Sequence, residues 1–411
     1  MELTLNRKQT RVLKRKLKKS SDMIKPSYFD GKYFKQTGKL QPFAENDKLT
    51  PNALVNEICD ILVKQFKNST YNIKVLDPSC GRGPFLVKVY EILFNDVYSD
   101  IEDIDFRNKL CIDSLYGFDI DQRYVNVTVL QLEEIQKYYG ATTILKPNVK
   151  CADFLNTDIN MKFDVIVGNP PFSKSSKEPK RLWASFIEKG LELLTTDGTL
   201  SFITPSSWMS STNSAYDLLK NKILFVNVSN NVSESFKEGG SQKFIYFIAN
   251  NKSNKCITRF DNNIELKLNP TYTPFAPIKS TSYYMYSIVE KMYDSTCAVH
   301  PWYRIDSVET TPGVIIPMAK STTFDVEYNQ VDNYNIGRYK LDIDKSIGEN
   351  IAHNLNSKLY KKLLWFLRSG PALAGNFKLV PIPIEKLTDS EIYKYFNLTQ
   401  EEINHIENAV K

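Results

Sequence analysis

Between residues 46 and 250 the apolar residues change their spacing repeatedly. Short runs rich in β-branched and aromatic residues read as strands: IKVLD (73–77), LYGFD (115–119), NVKCAD (148–153), FDVIVG (163–168), TLSFIT (199–204), ILFVNV (223–228) and KFIYFIA (243–249). Between them apolar residues recur at helical spacing. PFLVKVYEILF (84–94) puts Phe85, Val89 and Ile92 on one face, with Pro84 in the first turn, where a missing N–H matters least. Residues 121–139 and RLWASFIEKGLELL (181–194) read as helices on the same grounds. Seven strands alternating with helices predict an α/β fold with a mostly parallel sheet covered on both faces. In such a sheet ligands bind beyond the carboxyl ends of the strands, so the residues that end strands carry the information.

The alternation stops on either side. Residues 1–45 are basic, then rich in Tyr, Phe, Gly and Lys; residues 251–411 gain Pro, Tyr, Asn and scattered charge. Three zones are therefore expected: a basic arm and lead-in (1–45), a central α/β domain (46–250) and a C-terminal domain (251–411). With 42% of its 411 residues hydrophobic, the chain can bury a large core, and no apolar run approaches the ~20 residues that span a bilayer. No apolar stretch follows the basic start, so no secretory signal is expected. The six cysteines, at 59, 80, 111, 151, 256 and 297, form no CxxC pair, and the three histidines stand far apart at 300, 353 and 405. That pattern argues against a metal site or a histidine-based triad and suits a reducing, cytoplasmic setting. The net charge of +6 is concentrated: residues 1–20 hold eight Lys or Arg against one Glu. Such a block suits nucleic acid or another polyanion, and equally a solvated helical arm.

The first strand ends in DPSCGRGPF (77–85), where Gly81 and Gly83 permit a tight turn and close approach of backbone to a ligand. Leu86 stands where a dinucleotide motif wants Gly or Ala, and no G-K-[ST] follows, so a pyrophosphate or phosphate loop is excluded. A carboxylate-bearing ligand fits better. Asp119 ends the second strand, where an acid can accept both hydroxyls of a ribose or simply cap a turn. Asp153 and Phe154 end the third, an acceptor for an exocyclic amine beside a ring that covers a purine face, or again a turn. Three strand ends that each suit part of one adenosine weigh more than any single one.

The fourth strand ends in NPPF. Pro170 and Pro171 have no N–H and hold the preceding carbonyls extended. The Asn169 side-chain oxygen and the Pro170 main-chain oxygen can then converge on one amino group, with Phe172 as a flat face beside them. That set matches an aromatic amine presented for alkylation. Two acceptors on its two hydrogens pull the nitrogen toward tetrahedral geometry and free its lone pair. No strong base or metal is needed when the electrophile is a sulfonium methyl.

These residues resemble the adenine-specific N6 DNA methyltransferases of restriction-modification systems over roughly residues 45–250. DPSCGRGPF is similar to the family's first cofactor motif, NPPF to its catalytic [DNS]-P-P-[YFW] motif, and LWASFIEKGLELLTTDGTLSFITPSSWM to its helix–strand–TPSSW stretch. KLTPNALVNEI, ahead of the glycine motif, resembles the Thr-Pro segment of the γ-type motif order. The resemblance implies a Rossmann-like S-adenosylmethionine-dependent methyltransferase fold with a seven-stranded sheet, followed by a target-recognition domain at 251–411. It implies cofactor contacts from Thr50, Asp77, Pro78, Cys80, Gly81, Gly83, Asp119, Asp153 and Phe154, and a catalytic set of Asn169, Pro170, Pro171 and Phe172. One of Phe244, Tyr246 and Phe247 would stack on the target base opposite Phe172. Arg82 and Pro84 depart from the usual motif, as does the acidic insert DVYSDIEDID.

The implied partner is double-stranded DNA; whether a cognate restriction endonuclease accompanies it is open, as are the oligomeric state and a bacterial or phage origin. An adenine inside a duplex must be flipped out to reach a site at strand ends. The loop SKSSKEPKR (173–181) and Arg304, Arg338 and Arg368 are candidate phosphate or base contacts. RNA or a protein glutamine remains an alternative acceptor, as does a non-catalytic DNA-binding subunit. The tail contains two capping boxes, Thr388 with Glu391 and Thr399 with Glu402, which predict two short helices packing through Ile392, Phe396, Ile403 and Ile406.

Overall fold

The computed structural model describes residues 50–67, 72–172, 182–209, 213–220, 222–234, 236, 244–251, 256–259, 264–268, 283–305, 311–316, 326–329, 339–366 and 380–408. The basic arm, the 173–181 loop, Arg338 and Arg368 lie outside these residues. The chain divides into two compact units, 1–204 with 232–252, and 205–231 with 253–411. The chain thus passes between the units three times, after residues 204, 231 and 252, so that residues 205–231 belong to the second unit although they lie ahead of 250.

The first unit starts with helix α1 (Asn52–Lys67), which buries Leu54, Val55, Ile58, Cys59 and Leu62 at helical spacing. Strand β1 (Val75–Asp77) and helix α2 (Pro84–Ile92) follow, and a wider helical turn (Leu93–Val97) extends α2. Next come α3 (Ile104–Ser114), β2 (Leu115–Asp119), α4 (Gln122–Tyr138), β3 (Asn148–Cys151), β4 (Phe163–Gly168), α5 (Leu182–Leu193) and β5 (Leu194–Pro205). Strand β6 (Ile223–Asn227) belongs to the second unit, and β7 (Phe244–Asn250) to the first.

Within the first unit the strand order is β3-β2-β1-β4-β5-β7. β1 pairs in parallel with β2 and β4, β2 with β3, and β4 with β5. The order reverses between β1 and β4, the switch point at which a doubly wound sheet opens a crevice beyond its carboxyl ends. Asp77 and Gly168 sit at that crevice.

The acidic insert (96–105) leads from the wider turn into the start of α3. Asp103 caps it, accepting from Phe106 N at 3.0 Å. A buried polar chain ties α3 to the core: Tyr90 donates to Asn108 Oδ1 at 2.7 Å, and Asn108 Nδ2 to Gln136 Oε1 at 3.2 Å. Polar atoms this deep must be paired, so the chain fixes α2, α3 and α4 together.

In the second unit β6 pairs in parallel with β8 (Cys256–Arg259), which pairs antiparallel with β9 (Glu265–Leu268). Strands β10 (Tyr303–Arg304), β11 (Gly313–Ile316), β12 (Glu327–Asn329) and β13 (Tyr339–Leu341) form an antiparallel sheet, ordered β10-β13-β11-β12. Both predicted tail helices form, Asp389–Tyr395 and Gln400–Glu407, each opened by a complete capping box. Ile392, Phe396 and Ile406 are buried there, while Ile403 is half-buried. Among the described residues no helix is long and apolar enough to cross a membrane.

Candidate active site

The loop from β1 to α2 is held from behind by the end of β2. Cys80 N donates to the Phe118 carbonyl at 2.9 Å, and Gly81 N to Asp119 Oδ2 at 2.9 Å. The other Asp119 oxygen accepts from Asp121 N at 2.9 Å, where α4 begins. Gly81 and Gly83 have φ of 52° and 81°, a region where L side chains are strained. A Cβ on Gly83 would lie 2.7 Å from Thr128 Cγ2, and Thr128 Oγ1 donates to the Gly81 carbonyl at 2.8 Å. Thr128 therefore sets the height of the loop. Cys80 is buried beneath it, and burial raises its thiol well above the usual range. Arg82 is buried, its guanidinium 6.0 Å from the Tyr124 ring centroid.

Asp77 is only 1% exposed. Burial pushes its carboxyl from 3.8 up to about 8; the N–H bond from Ser79 opposes the rise and the Asp119 charge adds to it. Ser79 N donates to Asp77 Oδ1 at 3.1 Å. A Cβ on Gly168 would fall 2.8 Å from the same oxygen, so the glycine before the NPPF turn is what allows β4 to lie against this acid.

At that turn Asn169 Nδ2 donates to Thr50 Oγ1 at 3.1 Å, which directs the oxygen end of the amide away from Thr50. Ser79 Oγ donates to the Asn169 carbonyl at 3.2 Å, so the glycine loop and the NPPF turn are bonded to each other. Pro170 is buried and Pro171 exposed. The Phe172 ring stacks on Phe244, with centroids 4.7 Å apart and planes 30° from parallel. Phe236 backs Phe244 at 5.3 Å. Ser233 Oγ accepts from Phe244 N at 3.0 Å and donates to its carbonyl at 3.1 Å, clamping the start of β7. Of the three aromatics left open by the sequence, Phe244 is the one against Phe172. Tyr246 instead donates to Glu57 Oε1 at 2.7 Å, and Phe247 is fully buried.

The third strand ends earlier than expected, at Cys151, which leaves Asp153 and Phe154 in the turn beyond it. Asp153 Oδ1 accepts from Leu155 N at 3.0 Å and Oδ2 from Asn156 Nδ2 at 2.6 Å. The Phe154 ring is 1% exposed and packs on Phe186 and Phe118, with centroids 5.2 and 6.2 Å away. It lines the core beneath the turn and offers no open face to a purine. Ile120, next to Asp119, is 76% exposed. Its signal in the sequence is an isoleucine between two acids in the strand-end turn FDID.

Residues 113–244 match the Eco57I restriction-modification methylase family model. The matched segment takes in β2 to the start of β7. The type II restriction enzyme and methyltransferase RM.BcgI of Heyndrickxia coagulans is 31% identical over 153 residues, 36% of this chain and 23% of that protein. The type II methyltransferase M.PaeR7I of Pseudomonas aeruginosa is 25% identical over 183 residues, 39% of this chain and 32% of its own. The matched segment thus spans about a third or less of each of these relatives. Among solved structures, the Type ISP restriction-modification enzyme LlaGI aligns over 75% of this chain and 31% of its own at 12% identity, with a TM-score of 0.45.

Proposed function

We propose that this chain is a DNA methyltransferase that moves a methyl group from S-adenosylmethionine to N6 of an adenine drawn out of the duplex, as part of a restriction-modification system. One observation carries the reading: an Asn169 amide turned by Thr50 stands beside a pair of stacked rings, Phe172 and Phe244. An amide oxygen and a main-chain carbonyl next to aromatic faces suit a flat ring that bears an NH₂. The aromatic pair favours adenine over the flexible amide of a glutamine.

The cradle fits the cofactor. Gly81 and Gly83 hold the β1–α2 turn at positive φ, where backbone can approach a ligand, and Asp77 is a buried acid whose ionised form an ammonium would favour. Asp77 would take the cofactor's amino group, Asp119 its ribose hydroxyls and Asp153 its adenine amine. Ile120, rather than Phe154, would give the adenine an apolar face. When bound, the cofactor supplies an electrophilic methyl on a positively charged sulfur. Asn169 and Pro170 would accept the two hydrogens of the target amine and free its lone pair. Phe172 and Phe244 would hold the base by stacking, worth ~1–3 kcal/mol, against a flipping cost of a few kcal/mol. Their present 4.7 Å separation leaves no room for a third ring, so the pair must part as the base enters.

The test is Asn169→Ala in the full chain. Methyl transfer from labelled cofactor to DNA should vanish while cofactor binding, measured by calorimetry, stays within about twofold. Loss of both together would remove Asn169 from its assigned role.

A further inference from the structure

Lys189 lies on α5, in the helix of the LWASFIEKGLELL stretch, where no role has been given to it, and it is bonded to the turn that carries Asp153. Its Nζ donates to the Leu155 carbonyl at 3.1 Å and to the Thr157 carbonyl at 2.6 Å, and stands 5.1 Å from the centroid of the Phe154 ring. Phe186, one turn earlier on the same face of α5, packs on that ring. The front of the turn is closed by Asp153 itself. Its carbonyl accepts from Thr157 Oγ1 at 2.6 Å and from Asn156 N at 3.2 Å, and its carboxylate from Leu155 N and Asn156 Nδ2. The two carbonyls at the back are met by one ammonium.

We infer that Lys189 is a positioning residue for the adenine end of the cofactor site: it fixes the 153–157 turn so that the Asp153 carboxylate reads the purine amine. The inference rests on the function proposed above. A charged donor shared between two carbonyls makes strong bonds and sets the distance between them. The cation over Phe154 and the Phe186 ring against it lock the residue next to Asp153. Without the ammonium the two carbonyls repel, and the turn loses the contact that orients its first residue. The consequence is specific. Reading of the 6-amino group suffers, while contacts to the ribose and amino-acid portions, made by Asp119 and Asp77 on other elements, remain.

The experiment measures binding of two probes to the full chain, S-adenosylhomocysteine and its 6-oxo (inosine) counterpart, by calorimetry. Replacing the amine by a carbonyl sets an acceptor against Asp153, so the wild type should prefer the adenine form by about tenfold or more. Lys189→Met, which keeps the aliphatic cover of Phe154, should weaken the adenine probe by about tenfold and change the inosine probe by less than about twofold. Lys189→Gln should do the same, and Lys189→Arg, which can still donate to both carbonyls, should restore the preference. Equal weakening of both probes, or full preference in Lys189→Met and Lys189→Gln, overturns the inference. A wild type that binds both probes equally overturns it through Asp153. A wild type that binds neither overturns the proposed function itself.

Discussion

Asn169 and Thr50 are 119 residues apart in sequence, and the Asn169 amide donates to the Thr50 hydroxyl at 3.1 Å. The segment ahead of the glycine loop therefore orients the side chain at the tip of β4. Thr50→Val keeps the shape and removes the acceptor, and it should lower the turnover number by about ten- to a hundredfold, the effect of roughly 1.5–3 kcal/mol of lost orientation. Thr50→Ser should stay near wild type. Steady-state kinetics on DNA, with cofactor binding measured in parallel, decides between two roles for Thr50: turnover should fall further than cofactor affinity.

The Phe172–Phe244 stack predicts a target-side defect. Phe244→Ala removes one wall of the slot and should reduce kcat/KM for DNA by about ten- to a hundredfold, in line with one lost base–aromatic stack. Phe244→Tyr should retain most activity. Cofactor binding should be unchanged in both variants, because the role proposed for Phe244 is on the target side, where it stacks on Phe172 and Phe236 and is clamped by Ser233.

Gly83→Ala should destabilise the fold by about 2–4 kcal/mol through two separable effects, a side chain at positive φ and a collision with Thr128. Thr128→Ser removes the methyl that the new Cβ would strike and keeps the hydroxyl. In a double-mutant cycle read by chemical denaturation, Gly83→Ala should therefore cost less in the Thr128→Ser background than in the wild type. Purely additive losses would mean that the backbone strain acts alone.

Asp77 sets a pH dependence whose sign is fixed. Its carboxyl holds a proton in the folded protein up to about 8, against 3.8 in the ordinary state. Between those limits the folded form binds more protons than the unfolded, so the stability it contributes is full below the lower value and falls as pH rises through the upper one. Asp77→Asn cannot titrate. Melting temperatures across this range should show wild type losing ground to Asp77→Asn as pH increases; parallel curves would place the acid in contact with solvent.

Much of the fold was legible because its code is local. Period-two and helical runs mark β1 through β7 and their helices, and two Thr–Glu pairs announce the tail helices outright. The passage of residues 205–231 into the second unit was not legible: ILFVNV has the same pattern as the strands before it, and its pairing with β8 goes with the other unit. In the site, the strand-end acids, glycines and NPPF turn announce themselves by residue type. Phe154 misleads, since an aromatic after a strand-end acid looks the same whether it faces a ligand or the core. The roles proposed for Ile120 and Lys189 rest on exposure and on carbonyls of another segment, which residue type does not display. Phe244 was one of three equal candidates until the ring geometry separated them.

The most direct test of the central claim incubates the purified chain with mixed double-stranded DNA and methyl-labelled S-adenosylmethionine, digests the DNA to nucleosides and identifies the labelled one. The account predicts label in N6-methyldeoxyadenosine, at a recurring sequence, and none with Asn169→Ala. Label in a cytosine, label in protein with none in DNA, or unlabelled adenine throughout would contradict it.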